Sequence, residues 1–218
     1  MHPPLNIQGW ANSAEATYRV ARAAATAGAI YHTGPDYEVR SLVYNDTGAK
    51  VIGIKSKSGD TMYAEKVILC TGAWTNHLLD TEGQLRPRGH CLGYIQLTPE
   101  EYQRYSKMPV VDSIKSEIYF FPPFENGTMK FAAWTPDFHS ERYRETYNFQ
   151  RDDFPKEIEE QIRNGMREIV PALAEGELFD RRICWCIDTA DSHFLISPYP
   201  KVEGLYLATG GLYVQLLR

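Results

Sequence analysis

The pair Cys184 and Cys186, in the run Arg182-Ile183-Cys184-Trp185-Cys186-Ile187-Asp188, is the first place to look for chemistry. On a strand, residues two apart share a face, so both thiols would stand on one side with Trp185 on the other. Two thiols on one face of one strand are badly placed to bond to each other, and no matching His/Cys pair supplies the rest of a metal site. No metal site is expected. From spacing alone the pair reads as two buried cysteines packing as small hydrophobes. Lys130, close after an Asn126-Gly127 turn, reads by itself as a solvated lysine at a hairpin end. Two further features share one pattern: residues 66–72 and 204–211 are apolar runs that end in small residues and glycine. Such endings leave backbone bare for a flat or phosphorylated ligand, and each alone is equally a turn.

These residues need elements to hold them. Asn12 or Ser13 is set to cap a helix that Ala-rich residues propagate to Ala27, where Gly28 supplies a left-handed end. Residues 29–33, 39–44 and 51–56 then read as strands of a meander, separated by Gly34-Pro35, Asp46-Thr47-Gly48 and Ser58-Gly59-Asp60. The unbroken apolar run at residues 66–74 reads as a strand buried on both faces, as in a parallel sheet, with a ligand expected at its carboxyl end. From about Leu85 the texture changes to strand-like pieces at residues 93–97, 117–121 and 129–133, broken by Pro122-Pro123 and Asn126-Gly127. Residues 138–153 are polar and aromatic, an irregular excursion. Pro155 opens a helix to about Val170 with Ile158, Ile162, Met166 and Ile169 on one stripe. A mostly antiparallel sheet with a covering helix follows from that pattern.

Composition bounds the function. A chain of 218 residues with 43% hydrophobic and 23% charged residues is long enough for one large or two small domains and falls in the ordinary globular class. Its net charge of -5, without a local cluster of Lys and Arg, argues against a nucleic-acid partner. No run is long and apolar enough for a membrane span, and the first residues lack the order of a secretory signal, so an intracellular setting is expected. Cys70, Cys91, Cys184 and Cys186 do not form a disulfide framework and are expected to be reduced. The two sequons, at Asn45 and Asn126, read as turns rather than as glycosylation sites.

Taken together, residues 9–211 resemble the flavin amine oxidases related to monomeric sarcosine oxidase, most closely the fungal fructosyl amino acid oxidases and the saccharopine or pipecolate oxidases. The matching pieces are Leu5-Asn6, Gly9-Trp10, Val67-Ile-Leu-Cys-Thr-Gly-Ala-Trp74, Gln84-Leu-Arg-Pro87, Gly127-Thr-Met-Lys130, Arg182-Ile-Cys-Trp-Cys-Ile-Asp-Thr189 and Asp191-Ser-His-Phe-Leu-Ile196. The resemblance implies a D-amino-acid-oxidase-like fold of mixed α/β and α+β character. A partial Rossmann-like FAD-binding domain would cover residues 1–84, an antiparallel or mixed-sheet substrate domain 85–190, and a return to the FAD domain 191–218. It implies FAD tethered through Cys184 by a thioether to the flavin 8α carbon, with Cys186 packing on the same strand. It also implies that Lys130 faces flavin N5, where a cation stabilises superoxide as dioxygen is reduced. Val39 would approach the adenine side, Thr71, Gly72 and Trp74 the adenosine and pyrophosphate, and Gly210 and Gly211 the isoalloxazine ring.

The sequence departs from the family pattern in three ways. It has no G-x-G-x-x-G turn, and Leu212-Tyr-Val-Gln-Leu-Leu-Arg218 stands where the family has a Ser-Gly-His-Gly-Phe-Lys-like run, so a chain truncated at both ends is expected. Near the position of a family carboxylate a few places after Lys130, the sequence reads Phe131-Ala-Ala-Trp-Thr-Pro136. An aromatic residue there cannot pair with sugar hydroxyls or an ammonium as a carboxylate does, which argues for a secondary amino acid such as saccharopine, pipecolate or sarcosine. The expected reaction is oxidation of its CH–NH bond to an imine, with dioxygen reduced to hydrogen peroxide, in the cytoplasm or peroxisome. Tyr119 and Trp134 are candidate aromatic walls of the substrate cavity. The alternative function is a non-catalytic fragment of this fold that binds a partner at most. A dehydrogenase using another acceptor is a further alternative.

Overall fold

The structure, a computed structural model, describes residues 11–133 and 155–210. They fall into two compact units, one drawn from Met1–Ala23 and Gly89–Cys184, the other from Ala24–Arg88 and Trp185–Arg218. The first helix, α1, spans Ser13–Thr26. Asn12 Oδ1 accepts the Glu15 N–H at 3.1 Å, and at the other end Gly28, at φ 99°, closes the helix as expected. None of its residues is buried. Cap and alanine propensity are thus its visible local supports.

In the unit built from residues 24–88 and 185–210, β1 (Val39–Tyr44), β2 (Val51–Ser56) and β3 (Thr61–Tyr63) form an antiparallel meander in that order. Gly53 lets β2 and β3 approach: a Cβ there would lie 2.3 Å from the Met62 carbonyl oxygen. Residues 29–33, expected as a strand, are not one, and Ile30 is 82% exposed. No strand pairs with that segment among the described residues, and an extended segment without a ladder is not a strand.

Next, β4 (Val67–Leu69) leads through a 3-10 turn at Gly72–Trp74 into the short helix α2 (Thr75–Leu78). The expected strand over 66–74 is thus shortened, because Gly72 turns left-handed at φ 50° and the Thr75 hydroxyl donates to its carbonyl at 2.7 Å. Later in the chain, β10 (Phe194–Pro198) and β11 (Leu205–Gly210) complete a mixed sheet of order β10-β11-β4, with β11 parallel to β4 through Leu205↔Val67 and Leu207↔Leu69. Its core face joins Val67, Leu69, Leu205 and Leu207 to Leu42, Val51 and Leu79. The expectation that this strand is buried on both faces fails. Ile68 is 61% exposed and Ile196 73%, because nothing covers the second face of this sheet among the described residues.

The other unit holds most of β5 (Leu85–Gln96) and the first part of β9 (Phe179–Thr189), with α3 (Pro99–Tyr105), β6 (Val111–Ser113), β7 (Ile118–Phe120), β8 (Thr128–Ala133) and the long helix α4 (Lys156–Ile169). The sheet order is β6-β7-β8-β5-β9, with antiparallel pairing at β6/β7, β7/β8 and β8/β5. Of the expected stripe, α4 buries Ile162 and Met166 and half-buries Ile158 and Ile169, and it buries Gly165 as well. It lies tightly on the sheet, since a Cβ on Gly165 would come 2.5 Å from Ile118 Cδ1. Helix α3 is begun by a capping box in which Thr98 Oγ1 accepts from Glu101 N–H at 3.2 Å and Glu101 Oε2 accepts from Thr98 N–H at 2.8 Å. The sequons form turns: Asn45 Oδ1 accepts from Lys50 N–H at 3.1 Å, and Asn126 Oδ1 from Thr128 N–H at 3.0 Å. Residues 138–153 and 211–218 lie outside the described residues.

Candidate cofactor face and strand end

The five-stranded sheet has two unlike faces. Strand alternation points Ile118, Phe120, Met129, Phe131 and Ala133, all 0% exposed, toward α4. On the other face Lys130 stands opposite Tyr94 in the β8/β5 register, with Tyr119 on β7. Lys130 Nζ lies 5.4 Å from the centre of the Phe121 ring, and Tyr119 meets that ring edge-on at 6.0 Å. Around Tyr94 are Phe179 at 6.1 Å and Phe124 at 6.5 Å between ring centres. Above the Tyr94 ring is the guanidinium carbon of Arg182, 5.6 Å from its centre.

That contact decides where Cys184 faces. Arg182 is on the Tyr94 side, so Cys184, two residues on, is too. The odd positions agree: a Cβ at Gly93 would touch Arg181, Arg181 pairs with Glu159 of α4 at 3.0 Å, and Ile183 is buried. Lys130 and Cys184 therefore share the face away from α4. Their strands flank β5, which sets the two backbones about 10 Å apart.

The phase of β9 depends on one residue. Phe179 already faces Tyr94 while Leu178 faces Gly93, so plain alternation would turn Arg181 to the Tyr94 side and Cys184 toward α4. Asp180 is the extra residue that shifts the phase, with its backbone left-handed at φ 46° and its carboxylate paired with Arg182. Aspartate tolerates that conformation better than most residues.

The four cysteines are thiols of different accessibility. Cys184 is exposed, so the buried-hydrophobe reading does not hold for it, whereas Cys186 is half-buried. Cys91 is 0% exposed and burial pushes its thiol up to about 12, which removes it as a nucleophile near neutral pH.

In the other unit, parallel pairing sets the carboxyl ends of β4 and β11 side by side. Thr71, Gly72 and Trp74 follow β4 there, and Gly210 ends β11. Thr71 and Thr75 share a hydroxyl hydrogen bond of 3.0 Å, and Trp74 is 43% exposed. Gly72 combines φ 50° with open space around its α carbon, so its backbone is bare as expected. Gly210 has a local reason of its own, because at φ 79° a Cβ would lie 2.8 Å from the His193 carbonyl oxygen. The preceding turn is held by Asp191, whose Oδ1 accepts from the His193 N–H at 3.1 Å and the Thr189 hydroxyl at 2.9 Å. Those bonds hold its carboxyl below the usual range. Val39 opens β1, opposite Ser56, in the separate meander sheet. Gly211 and Trp134 lie outside the described residues.

Both places fit a flat, polar, anionic group. Near the end of β11, the parallel partner of β4, Thr209 Oγ1 is buried with no hydrogen-bond partner among the described residues, and β4 itself leads into the bare turn at Gly72. On the aromatic face the buried Nε of Arg182 likewise lacks an acceptor. Cavities of about 140 Å³ beside Tyr199 and about 240 Å³ beside Glu177 are lined by none of the expected site residues. Among the described residues no His/Cys/Asp/Glu cluster has metal-holding geometry, and no helix is long and apolar enough to cross a membrane.

Comparison with known proteins defines the class. The family model of FAD dependent oxidoreductases (DAO) matches residues 6–213, and the chain belongs to that family. It is 25% identical to L-saccharopine oxidase of Schizosaccharomyces pombe, over 93% of this chain and 51% of that protein. It is 27% identical to monomeric sarcosine oxidase of a Bacillus species, over 73% of this chain and 41% of that protein. Among solved structures, fructosamine oxidase (Amadoriase II) of Aspergillus fumigatus superimposes with a TM-score of 0.83 at 33% identity, covering 93% of this chain and 50% of the other. Fructosyl peptide oxidase from E. terrenum gives 0.80 at 28%, covering 93% and 50%. The fold is thus the expected one, and the chain spans about half the length of these relatives.

Sequence reasoning missed Arg182, Tyr94 and Asp180. Arg182 was legible in principle, because it shares strand parity with Cys184. Tyr94 required the β5/β8 register, and Asp180 carries no signal beyond its residue type.

Proposed function

We propose that this chain is part of an FAD-dependent oxidase of secondary amino acids. The reading rests on family membership and on one observation: Lys130 and the exposed Cys184 stand on the same aromatic face of one sheet. When bound, the flavin would accept the hydride of the substrate's CH–NH carbon and deliver the electrons to dioxygen. Cys184 would hold it covalently, Lys130 would present a positive charge to the superoxide formed at the ring, and Tyr119 and Phe121 would exclude water beside that cation. In the other unit, the backbone at Thr71 and Gly72 and the indole of Trp74 would meet the nucleotide part of FAD, with Val39 toward the adenine. The backbone of Gly210 and of Gly211, the next residue in sequence, would approach the isoalloxazine ring.

For the substrate we favour a secondary amino acid without a sugar, since the sequence carries Trp134 near the position of a family carboxylate that would engage sugar hydroxyls. The 33% identity to a fructosamine oxidase supports the second reading, a fructosyl amino acid. A cytoplasmic or peroxisomal setting suits a peroxide-forming reaction. The test is expression of residues 1–218 with FAD, acid precipitation, and peroxide assays with sarcosine, pipecolate, saccharopine and fructosyl glycine. A yellow pellet and peroxide from one of the first three is expected. Peroxide from fructosyl glycine alone selects the second substrate reading. A colourless pellet without peroxide contradicts the oxidase and favours a non-catalytic fragment.

A further inference from the structure

We infer that Arg182 activates the Cys184 thiol, with Asp180 setting how strongly. The inference rests on reading Cys184 as the flavin tether. Only the thiolate attacks carbon. In attachment, sulfur bonds to the flavin 8α carbon, a C–H bond of that carbon breaks, and dioxygen takes up the electron pair and the two protons as hydrogen peroxide. At neutral pH an ordinary thiol is mostly protonated, so the reaction needs a nearby cation.

Arg182 is the charged side chain closest to Cys184 along that face of β9, two residues away and thus about 7 Å along the strand. It is held there: its guanidinium lies 5.6 Å over the Tyr94 ring, and its Nε is buried without an acceptor among the described residues. A buried, unused N–H on a fixed cation is a donor in place for an anion on that face. Asp180 opposes the effect, because its carboxylate pairs with the same guanidinium. The other titratable groups on this side include Tyr94 and, by alternation, His90 and Arg88 on β5, Cys186 and Asp188 on β9, with Arg88 and Asp188 paired at 3.2 Å, Lys130 on β8 and Tyr119 on β7. Arg181, Glu159 and Arg163 belong to the α4 side. Arg182 is a positioning residue acting through Cys184.

The experiment measures the rate of iodoacetamide alkylation at Cys184, resolved by peptide mass spectrometry, from pH 6 to 10 in the flavin-free chain of residues 1–218. The inflection should rise by about one pH unit in Arg182→Met, change little in Arg182→Lys, and fall below wild type in Asp180→Asn, which keeps the left-handed backbone and removes the competing carboxylate. Should Arg182→Met not fold, the Asp180→Asn shift decides by its sign. Coincident inflections in wild type and variants, or an upward shift in Asp180→Asn, overturn the inference. Flavin on Cys184 is read separately by adding FAD. Absence of a flavin peptide in every variant, with the alkylation shifts intact, removes the tether reading and leaves the role of Arg182 standing.

Discussion

Arg182 lies over the ring of Tyr94, its guanidinium carbon 5.6 Å from the ring centre, and that one contact orients the carboxyl-terminal part of β9. With Arg182 on the Tyr94 side, Cys184 joins Lys130 on an aromatic face while Ile183 enters the core under α4. The chemistry proposed for this face follows from that placement.

Replacing Lys130 by Met should slow reoxidation of the reduced flavin by dioxygen about 10²- to 10³-fold, the scale for losing one preorganised charge. Anaerobic reduction by substrate should change far less. Stopped-flow absorbance of the two half-reactions checks this, and unchanged reoxidation in air would point to a dehydrogenase using another acceptor.

Asp180 matters for phase more than for its charge. Asp180→Gly should fold with a stability within about 1 kcal/mol of wild type, because glycine accepts φ 46° freely. Deleting the residue leaves Phe179, Arg181 and Arg182 in plain alternation on the faces they already occupy, so Cys184 should stay on the Tyr94 side and its alkylation in the folded protein should remain well above that of Cys91. Thermal melts and peptide mapping measure the two effects.

Gly165 lets α4 lie against Ile118. Gly165→Ala places a Cβ 2.5 Å from Ile118 Cδ1 and should cost about 1–3 kcal/mol by overpacking. Ile118→Val removes that Cδ1 and should recover part of the loss in the double variant. Denaturant midpoints of the four proteins provide the cycle.

Cys91 predicts a pH dependence. Burial raises its thiol from 9.0 to about 12, so the unfolded chain loses this proton first as pH rises. The stability it contributes is whole below about pH 9 and declines until about pH 12, by about 4 kcal/mol in all. Melting temperature against pH should therefore fall less steeply above pH 9 in Cys91→Ala than in wild type.

Helices marked by caps and stripes were legible: α1 between Asn12 and Gly28, and α4 after Pro155. Helix α3 was not anticipated, although Thr98, Pro99 and Glu101 carry a capping-box signature, because its seven residues show no apolar stripe. Strand burial was less legible. The run around Ile68 looks fully buried in sequence, but apolarity does not say which face is covered, and among the described residues one face is left exposed. Cys184 was legible as a candidate and its face was not, since two residues at a spacing of two fix only their mutual side. Which side that is depends on the phase shift at Asp180 and on a ring contributed by another strand.

The most direct test is the location of the flavin. In protein expressed with FAD and digested under acid, the flavin mass should lie on the peptide containing Cys184, persist there in Cys186→Ala and disappear in Cys184→Ala. Flavin on Cys70 or Cys186, or no covalent flavin in any digest, would contradict the placement of the cofactor against this face.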